Sequence, residues 1–307
     1  MKKKTNSAAG PVSVLVTGAT SGIGLATSLL LASQGRRVIG TARSQEKADE
    51  LVRTARSQGL ALDAVVMDLT DPASCREAVE RAADLTDGGP HALVANAGIP
   101  LTGAITDPSE DRIREVFEVN VVGALRMCTL VLPAMRRRGR GRIVTVSSAS
   151  ARIPAPMSGW YTASKHALSA ATHSLRMETR RHGVQVVLVE PGTVATPFWT
   201  RAQEDLGALS PVDADNDVHH RAVNLLSRIH QSAGGPQPVA RTIARALGAP
   251  RPRRRYTVGV DAHLGAALQS VAPLWLSDQI KIRLFALHTL AADVPNQAVQ
   301  ARQTSGS

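Results

Sequence analysis

Thr17-Gly18-Ala19-Thr20-Ser21-Gly22-Ile23-Gly24 is the stretch that decides how this chain folds. It follows the apolar run Val12–Thr17 directly and opens a helical segment that stops near Gly35. Glycine is needed where a backbone must turn sharply and approach a bulky anion with no Cβ in the way. The helix behind it presents unpaired N–H groups and the positive end of its dipole at the same point. Glycines alone are weak evidence. Strand before and helix after make them the phosphate-binding corner of an α/β sheet.

The alternation continues outward from that corner. Arg37–Thr41, Ala64–Asp68, Ala92–Asn96, Arg142–Ser147 and Val184–Glu190 are short, rich in Val, Ile or Leu, and read as buried strands. Helical spacing separates them over Leu25–Ser33, Pro72–Ala83, Glu110–Met135 and Thr162–Arg181. Right-handed crossovers then predict an α/β architecture: a single doubly wound Rossmann domain over residues 11–262, with a mostly parallel sheet of about seven strands flanked by helices. Residues 197–240 interrupt the pattern with Pro197, Pro211, Gly234, Gly235, Pro236 and Pro238 around a helical patch near Val218–Ile229. An insert of that size reads as a substrate lid or pocket wall. Arg255–Val260 reads as a last strand and Leu264–Leu290 as a broken amphipathic helix, inside a C-terminal helical extension over 263–294. Residues 1–10 and 295–307 read as flexible tails.

Composition excludes several classes. Of 307 residues, 43% are hydrophobic and 20% charged, a balance for a folded chain rather than a disordered one. Cys75 and Cys128 cannot form a disulfide framework and have no metal-ligand spacing, so they are expected to be packing residues in a reducing compartment. No run of 18 or more apolar residues is present, and Val12–Val16 is too short to be the apolar region of a signal after Met1-Lys2-Lys3-Lys4, so neither a transmembrane segment nor secretion is expected and the location reads as cytoplasmic. The net charge of +11 invites a nucleic-acid reading. However, Lys2–Lys4, Arg136–Arg142 and Arg251–Arg255 together hold more than the whole excess, as loop and tail charge. Three Trp, two Tyr and three Phe leave little for base stacking, so no nucleic-acid partner is expected. His219-His220 lacks companion ligands, and no metal site is expected.

Three further stretches carry chemistry. Gly40-Thr41-Ala42-Arg43 ends the second strand without the carboxylate that would bond a ribose 2′-OH. Arg43 is suited to a 2′-phosphate, which favours NADP(H) over NAD(H); the alternative is ordinary surface charge. In Tyr161-Thr162-Ala163-Ser164-Lys165 the first and last residues share a helix face, so a cation stands near a phenol whose free pKa is ~10. Such a pair can trade a proton with an alkoxide, although Tyr and Lys also fall four apart by chance. Ser147-Ser148 ends an apolar strand with Ser148 thirteen residues before Tyr161, and Asn120 places an amide inside a helical pattern.

Taken together, Gly18, Gly22 and Gly24, Asn96-Ala97-Gly98, Asn120, Ser148, Tyr161, Lys165 and Pro191-Gly192 stand in the order of a family. The chain resembles the classical short-chain dehydrogenases/reductases over residues 12–260. The resemblance implies a catalytic set of Asn120, Ser148, Tyr161 and Lys165. In it Ser148 would polarise the substrate oxygen, Tyr161 would be the acid/base, and Lys165 would bond the nicotinamide ribose and depress the tyrosine pKa. Asn120 would hold a water linking Lys165 to solvent. It also implies cofactor contacts from Gly18, Thr20, Ser21, Gly22, Ile23, Gly24, Arg43, Asp68, Leu69, Asn96, Ala97, Gly98, Pro191, Gly192, Val194 and Thr196. The chain departs from the family in having Ala95 where an asparagine is frequent, which puts one structural hydrogen bond in doubt, and Ser147 beside Ser148 leaves the choice between them open. Ser150, Trp160, Phe198 and Trp199 are expected around an apolar substrate pocket, with core packing as the alternative. Arg255–Ala262 and the Leu-rich helix after it are similar to the tail of the hydroxysteroid and retinol dehydrogenase branch; a final strand with a packing or oligomer helix is the other reading.

The expected activity is an NADP(H)-dependent oxidoreduction between a mid-sized apolar ketone and its secondary alcohol. The alternatives are an NAD-dependent alcohol dehydrogenase and a cofactor-binding regulator without turnover. The family resemblance implies a homo-oligomer, a dimer or tetramer.

Overall fold

The computed structural model describes residues 12–86, 88–208, 227–228 and 233–284. Seven parallel strands form one sheet in the order β3-β2-β1-β4-β5-β6-β7: β1 Ser13–Val16, β2 Arg37–Ala42, β3 Asp63–Val66, β4 Ala92–Ala95, β5 Gly141–Val146, β6 Val184–Pro191 and β7 Arg255–Val258. Helices α1 (Gly22–Ser33), α2 (Gln45–Ser57), α3 (Pro72–Asp84), α4 (Glu110–Phe117), α5 (Ala124–Arg137), α6 (Gly159–Thr179), α7 (Phe198–Ala208) and α8 (Gln237–Gly248) follow the strands. Two more, α9 (Val260–Val271) and α10 (Leu274–Leu284), follow β7 and break at Ala272-Pro273.

Alternation along the strands builds a core on each face of the sheet. Leu15, Ile39, Leu93 and Ile143 point to one side and meet Met127, Cys128, Val131 and Met135 of α5. Val14, Val16, Val38, Val94 and Val144 point to the other and meet Leu31 of α1 and Val239, Ile243 and Leu247 of α8. Cys75 and Cys128 are free and buried, as packing residues. The run Glu110–Arg137, from α4 through α5, is long and apolar enough by length and composition to cross a bilayer. In its α5 part, Met127, Cys128, Val131 and Met135 are buried on the sheet.

Register puts the motifs at one edge. Val16 lies opposite Gly40 and Val94, so Thr17-Gly18, Thr41–Arg43 and Asn96–Gly98 leave the sheet side by side. Val146 lies opposite Val189, which brings Ser147-Ser148 beside Pro191-Gly192. Strand order reverses between β1 and β4, and a ligand crevice belongs at such a switch point. Two cluster arginines are structural: Arg138 Nη2 donates to the carbonyls of Gly89 (2.8 Å) and Pro90 (3.1 Å), and Arg142 Nη2 to that of Ala249 (3.0 Å). The sequence patch near Val218–Ile229 falls outside the described residues except for Ser227 and Arg228, as do His219-His220 and both tails.

Candidate active site

A cleft of about 800 Å³ opens at the C-terminal edge of the sheet. The glycine turn forms one wall. Gly18 and Gly22 have φ of +64° and +53°, left-handed values that side chains rarely adopt. A Cβ on Gly24 would fall 2.0 Å from the Gly18 carbonyl oxygen, so the third glycine lets α1 close against the turn. Ser21 precedes α1 without a side-chain cap, and no acidic residue lies in its first turn, which leaves those amides to an anion.

Thr17 ties the turn to β4. Its Oγ1 accepts from the amides of Asn96 and Ala97 at 3.0 Å each, and Asn96 Nδ2 donates to the Thr17 carbonyl at 3.0 Å. Thr41 Oγ1 accepts from Gly18 N at 3.3 Å. Sequence reasoning passed over both threonines, because a buried hydroxyl in a strand reads as ordinary β propensity. Asp68, Leu69 and exposed Arg43 line the same end of the cleft, with Lys47 beside them. Asp68 accepts from Thr70 N and Oγ1 at 2.8 and 2.7 Å, bonds that hold its carboxyl below the usual range.

Tyr161 and Lys165 face the cleft from the first turns of α6, with Lys165 Nζ 5.8 Å from the Tyr161 ring centre. Lys165 is buried and donates to the Val146 carbonyl at 3.3 Å. Geometry separates the two serines. Ser147 Oγ donates to the Lys165 carbonyl (3.1 Å) and lies 2.9 Å from Ser169 Oγ, inside the protein. Ser148 accepts from Ser150 N at 3.1 Å, and its hydroxyl is the one that acts on the Tyr161 phenol, lowering its pKa. Ser148 is the member of the pair at the tyrosine.

Burial pushes Tyr161 up to about 12, opposed only by the Ser148 hydroxyl. Lys165 is itself pushed down to about 8 by burial. The ammonium is thus held 5.8 Å from the phenol ring at a cost in desolvation. Asn120, fully buried in a π-helical turn over Glu118–Gly123, accepts from Ile99 N (2.8 Å) and donates to the Ile99 carbonyl and Ser164 Oγ (3.0 Å each). Both of its N–H donors are engaged by protein, so the side chain holds the Ile99 backbone and α6 together. Gly98 leaves room at that junction, since a Cβ there would come 3.0 Å from Asn120 Oδ1 and 3.1 Å from Lys165 Nζ.

The expected pocket residues divide. Phe198 packs tilted against the Tyr161 ring at 5.2 Å between centres, and Trp199 and Ser150 line the cleft. Trp160 does not. It packs edge-on to Phe117 at 6.5 Å, joins Ile99, Leu101 and Val116, and donates to the Ile105 carbonyl at 2.9 Å. Neighbours on a helix point about 100° apart, so Trp160 faces away when Tyr161 faces the cleft. Ile153 and Met157 complete the apolar wall; Met157 holds a φ of +62°, strained for its type and fixed in part by the Gly103 amide on its carbonyl at 3.0 Å. Glu190, also unnoticed in the sequence, is buried between Arg255 (3.4 Å) and Arg152 (4.0 Å), the latter on the segment behind Ser148.

A glycine corner, a switch-point cleft and a Ser–Tyr–Lys set on its floor define a dinucleotide-binding α/β oxidoreductase. The sequence profile of the short chain dehydrogenases matches residues 12–207, and the chain belongs to that family. Human 17-beta-hydroxysteroid dehydrogenase type 1 is 36% identical over 255 residues, covering 79% of this chain and 76% of that one. An actinorhodin polyketide ketoreductase variant crystallised with NADPH is similar at a TM-score of 0.70 and 30% identity, over 83% of this chain and 97% of that one. A short chain dehydrogenase/reductase from Burkholderia phymatum, in complex with NAD, is similar at a TM-score of 0.73 and 25% identity, over 88% and 94%. Family members thus include both an NAD and an NADPH complex, and likeness does not choose between them.

Proposed function

We propose that this oxidoreductase reduces a mid-sized apolar ketone to its secondary alcohol with NADPH. The observation that carries it is the open end of β2: exposed Arg43 and Lys47 line the cleft there, and Gly40-Thr41-Ala42-Arg43 offers no carboxylate to repel a 2′-phosphate. The glycine cradle and uncapped first turn of α1 fit a pyrophosphate, Asp68 and Leu69 fit an adenine, and Lys165 fits a ribose hydroxyl. A bound nicotinamide supplies the hydride. The chain's own residues handle the proton. Ser148 holds the substrate oxygen by a hydrogen bond, and Tyr161, kept protonated at neutral pH by burial, donates its hydroxyl proton to that oxygen as charge develops. Phe198, Trp199, Ile153 and Met157 exclude water and favour an apolar substituent. Pro191, Gly192, Val194 and Thr196 form the wall where a carboxamide would bind, with the Val194 carbonyl already accepting from Trp199 Nε1 at 2.9 Å.

Oxidation of NADPH and NADH against a panel of ketones tests this, with wild type beside Tyr161→Phe and Arg43→Ala. Turnover should favour NADPH and fall at least about 100-fold in Tyr161→Phe, which keeps the ring and removes the proton. Arg43→Ala should weaken NADPH by about tenfold or more and leave NADH unchanged. Full activity in Tyr161→Phe, or equal effects of Arg43→Ala on both dinucleotides, would overturn it.

A further inference from the structure

The C-terminal helix α9 begins at residue 260, beyond the stretch that the family profile matches, yet Asp261 and Ala262 of its first turn line the cleft. Asp261, in its first turn, accepts a hydrogen bond from the Thr193 amide at 2.7 Å through Oδ2. Its other oxygen, Oδ1, fills the space where a Cβ on Gly192 would stand (2.2 Å) and where one on Gly259 would stand (2.4 Å). Gly259 has a φ of +113°, so the turn from β7 into α9 is shaped to deliver this carboxylate. Two glycines therefore make room for one side chain. The segment it holds continues to Thr196, whose Cγ2 occupies the place of a Cβ on Gly22, 2.9 Å away, so its position is transmitted to the glycine turn. One turn along α9, Gly265 packs against Ile153, where a Cβ would fall 2.4 Å from Cδ1. Ile153 lies on the segment that follows Ser148 and lines the cleft.

We propose that Asp261 is a positioning residue for the dinucleotide, holding Gly192–Thr196 against the glycine turn, and that α9 is a strap tying this segment to the Ser148–Ile153 wall. The proposal rests on the dinucleotide-dependent reading above and adds a residue to it that the chemistry does not touch. A carboxylate accepting from a backbone amide makes a strong bond, and here it fixes a segment with few other anchors: Gly192 N to the Val258 carbonyl (2.7 Å), Ala195 N to the Gly234 carbonyl (2.9 Å), and the indole of Trp199.

Asp261→Ala and Asp261→Asn separate the bond from the charge, since an asparagine carbonyl can still accept from Thr193 N. Three quantities are to be measured on the full chain: NADPH dissociation constant by fluorescence, kcat and KM for a ketone, and amide hydrogen exchange over residues 191–196 without nucleotide. Asp261→Ala should raise the NADPH constant about tenfold and speed exchange in that segment, while ketone KM moves little and Asp261→Asn stays within about threefold of wild type. Gly265→Val, pushing on Ile153 instead, should raise ketone KM and leave the NADPH constant alone. Wild-type exchange and NADPH affinity in Asp261→Ala would overturn the strap, and so would equal loss in the Asn and Ala variants. A wild-type protein that binds neither NADPH nor NADH would instead overturn the functional reading, and the strap with it.

Discussion

Lys165 is a cation that the fold buries at a cost. Its side chain is 4% exposed, donates to one carbonyl at 3.3 Å, and is pushed down from 10.5 to about 8. A lowered lysine pKa means the folded state binds the proton less well than the unfolded one. Below pH 8 both states are protonated and the fold carries the whole penalty, about 3 kcal/mol for a shift of this size. Between pH 8 and 10.5 the unfolded state holds more protons, so this contribution to stability improves as pH rises, and above 10.5 the penalty is gone. Lys165→Met keeps much of the stem and removes the charge. It leaves the Val146 carbonyl without this donor, a loss of about 1 kcal/mol. The ligand-free variant should therefore be about 2 kcal/mol more stable than wild type at pH 7 and no more stable near pH 10.5. Urea denaturation of both proteins at pH 6, 7, 8, 9 and 10 measures the difference. A variant less stable than wild type by the same amount throughout would refute the reasoning, because a lost contact has no reason to follow the titration of this ammonium. Activity should be lost in Lys165→Met at every pH, which would make Lys165 a residue retained for function against stability.

The adjacent serines should separate by assay. Ser148→Ala should cut kcat by 100-fold or so with little change in urea midpoint, whereas Ser147→Ala, which loses a buried bond to α6, should cost about 1–2 kcal/mol of stability and spare kcat more. The reverse pattern in paired kinetics and unfolding curves would reassign the substrate contact. Gly24→Ala should abolish dinucleotide binding or folding, since its Cβ meets the Gly18 carbonyl at 2.0 Å; a soluble variant with unchanged NADPH titration would show that α1 can draw back.

Much of the site was legible because the family's functional groups sit at strand ends, and strand ends can be located from apolar runs. Gly18, Asn96, Ser148 and Pro191 each follow such a run directly, so a reading of β1, β4, β5 and β6 places them together before any coordinate is known. Tyr161 and Lys165 were legible from helix periodicity, as was their common face. The same periodicity, applied to the residue before Tyr161, turns Trp160 away from the cleft and into the cluster with Ile99, Leu101 and Val116.

Order and spacing along the chain thus determine the fold, the glycine corner and the choice of candidate site residues, because each depends on local patterns repeated over a few residues. What each group does in this protein depends on neighbours far away in sequence. Ser147 and Ser148 are equivalent as letters and differ only in that one meets Ser169 and the other Tyr161. Asn120 is engaged by Ile99 and Ser164, twenty-one and forty-four residues distant. Burial, which raises Tyr161 and lowers Lys165, is a property of the closed cleft and of no single segment. Asp261 reaches Thr193 across sixty-eight residues, and no pattern in the sequence pairs them; only the parallel register of β6 with β7 brings the two turns to the same edge.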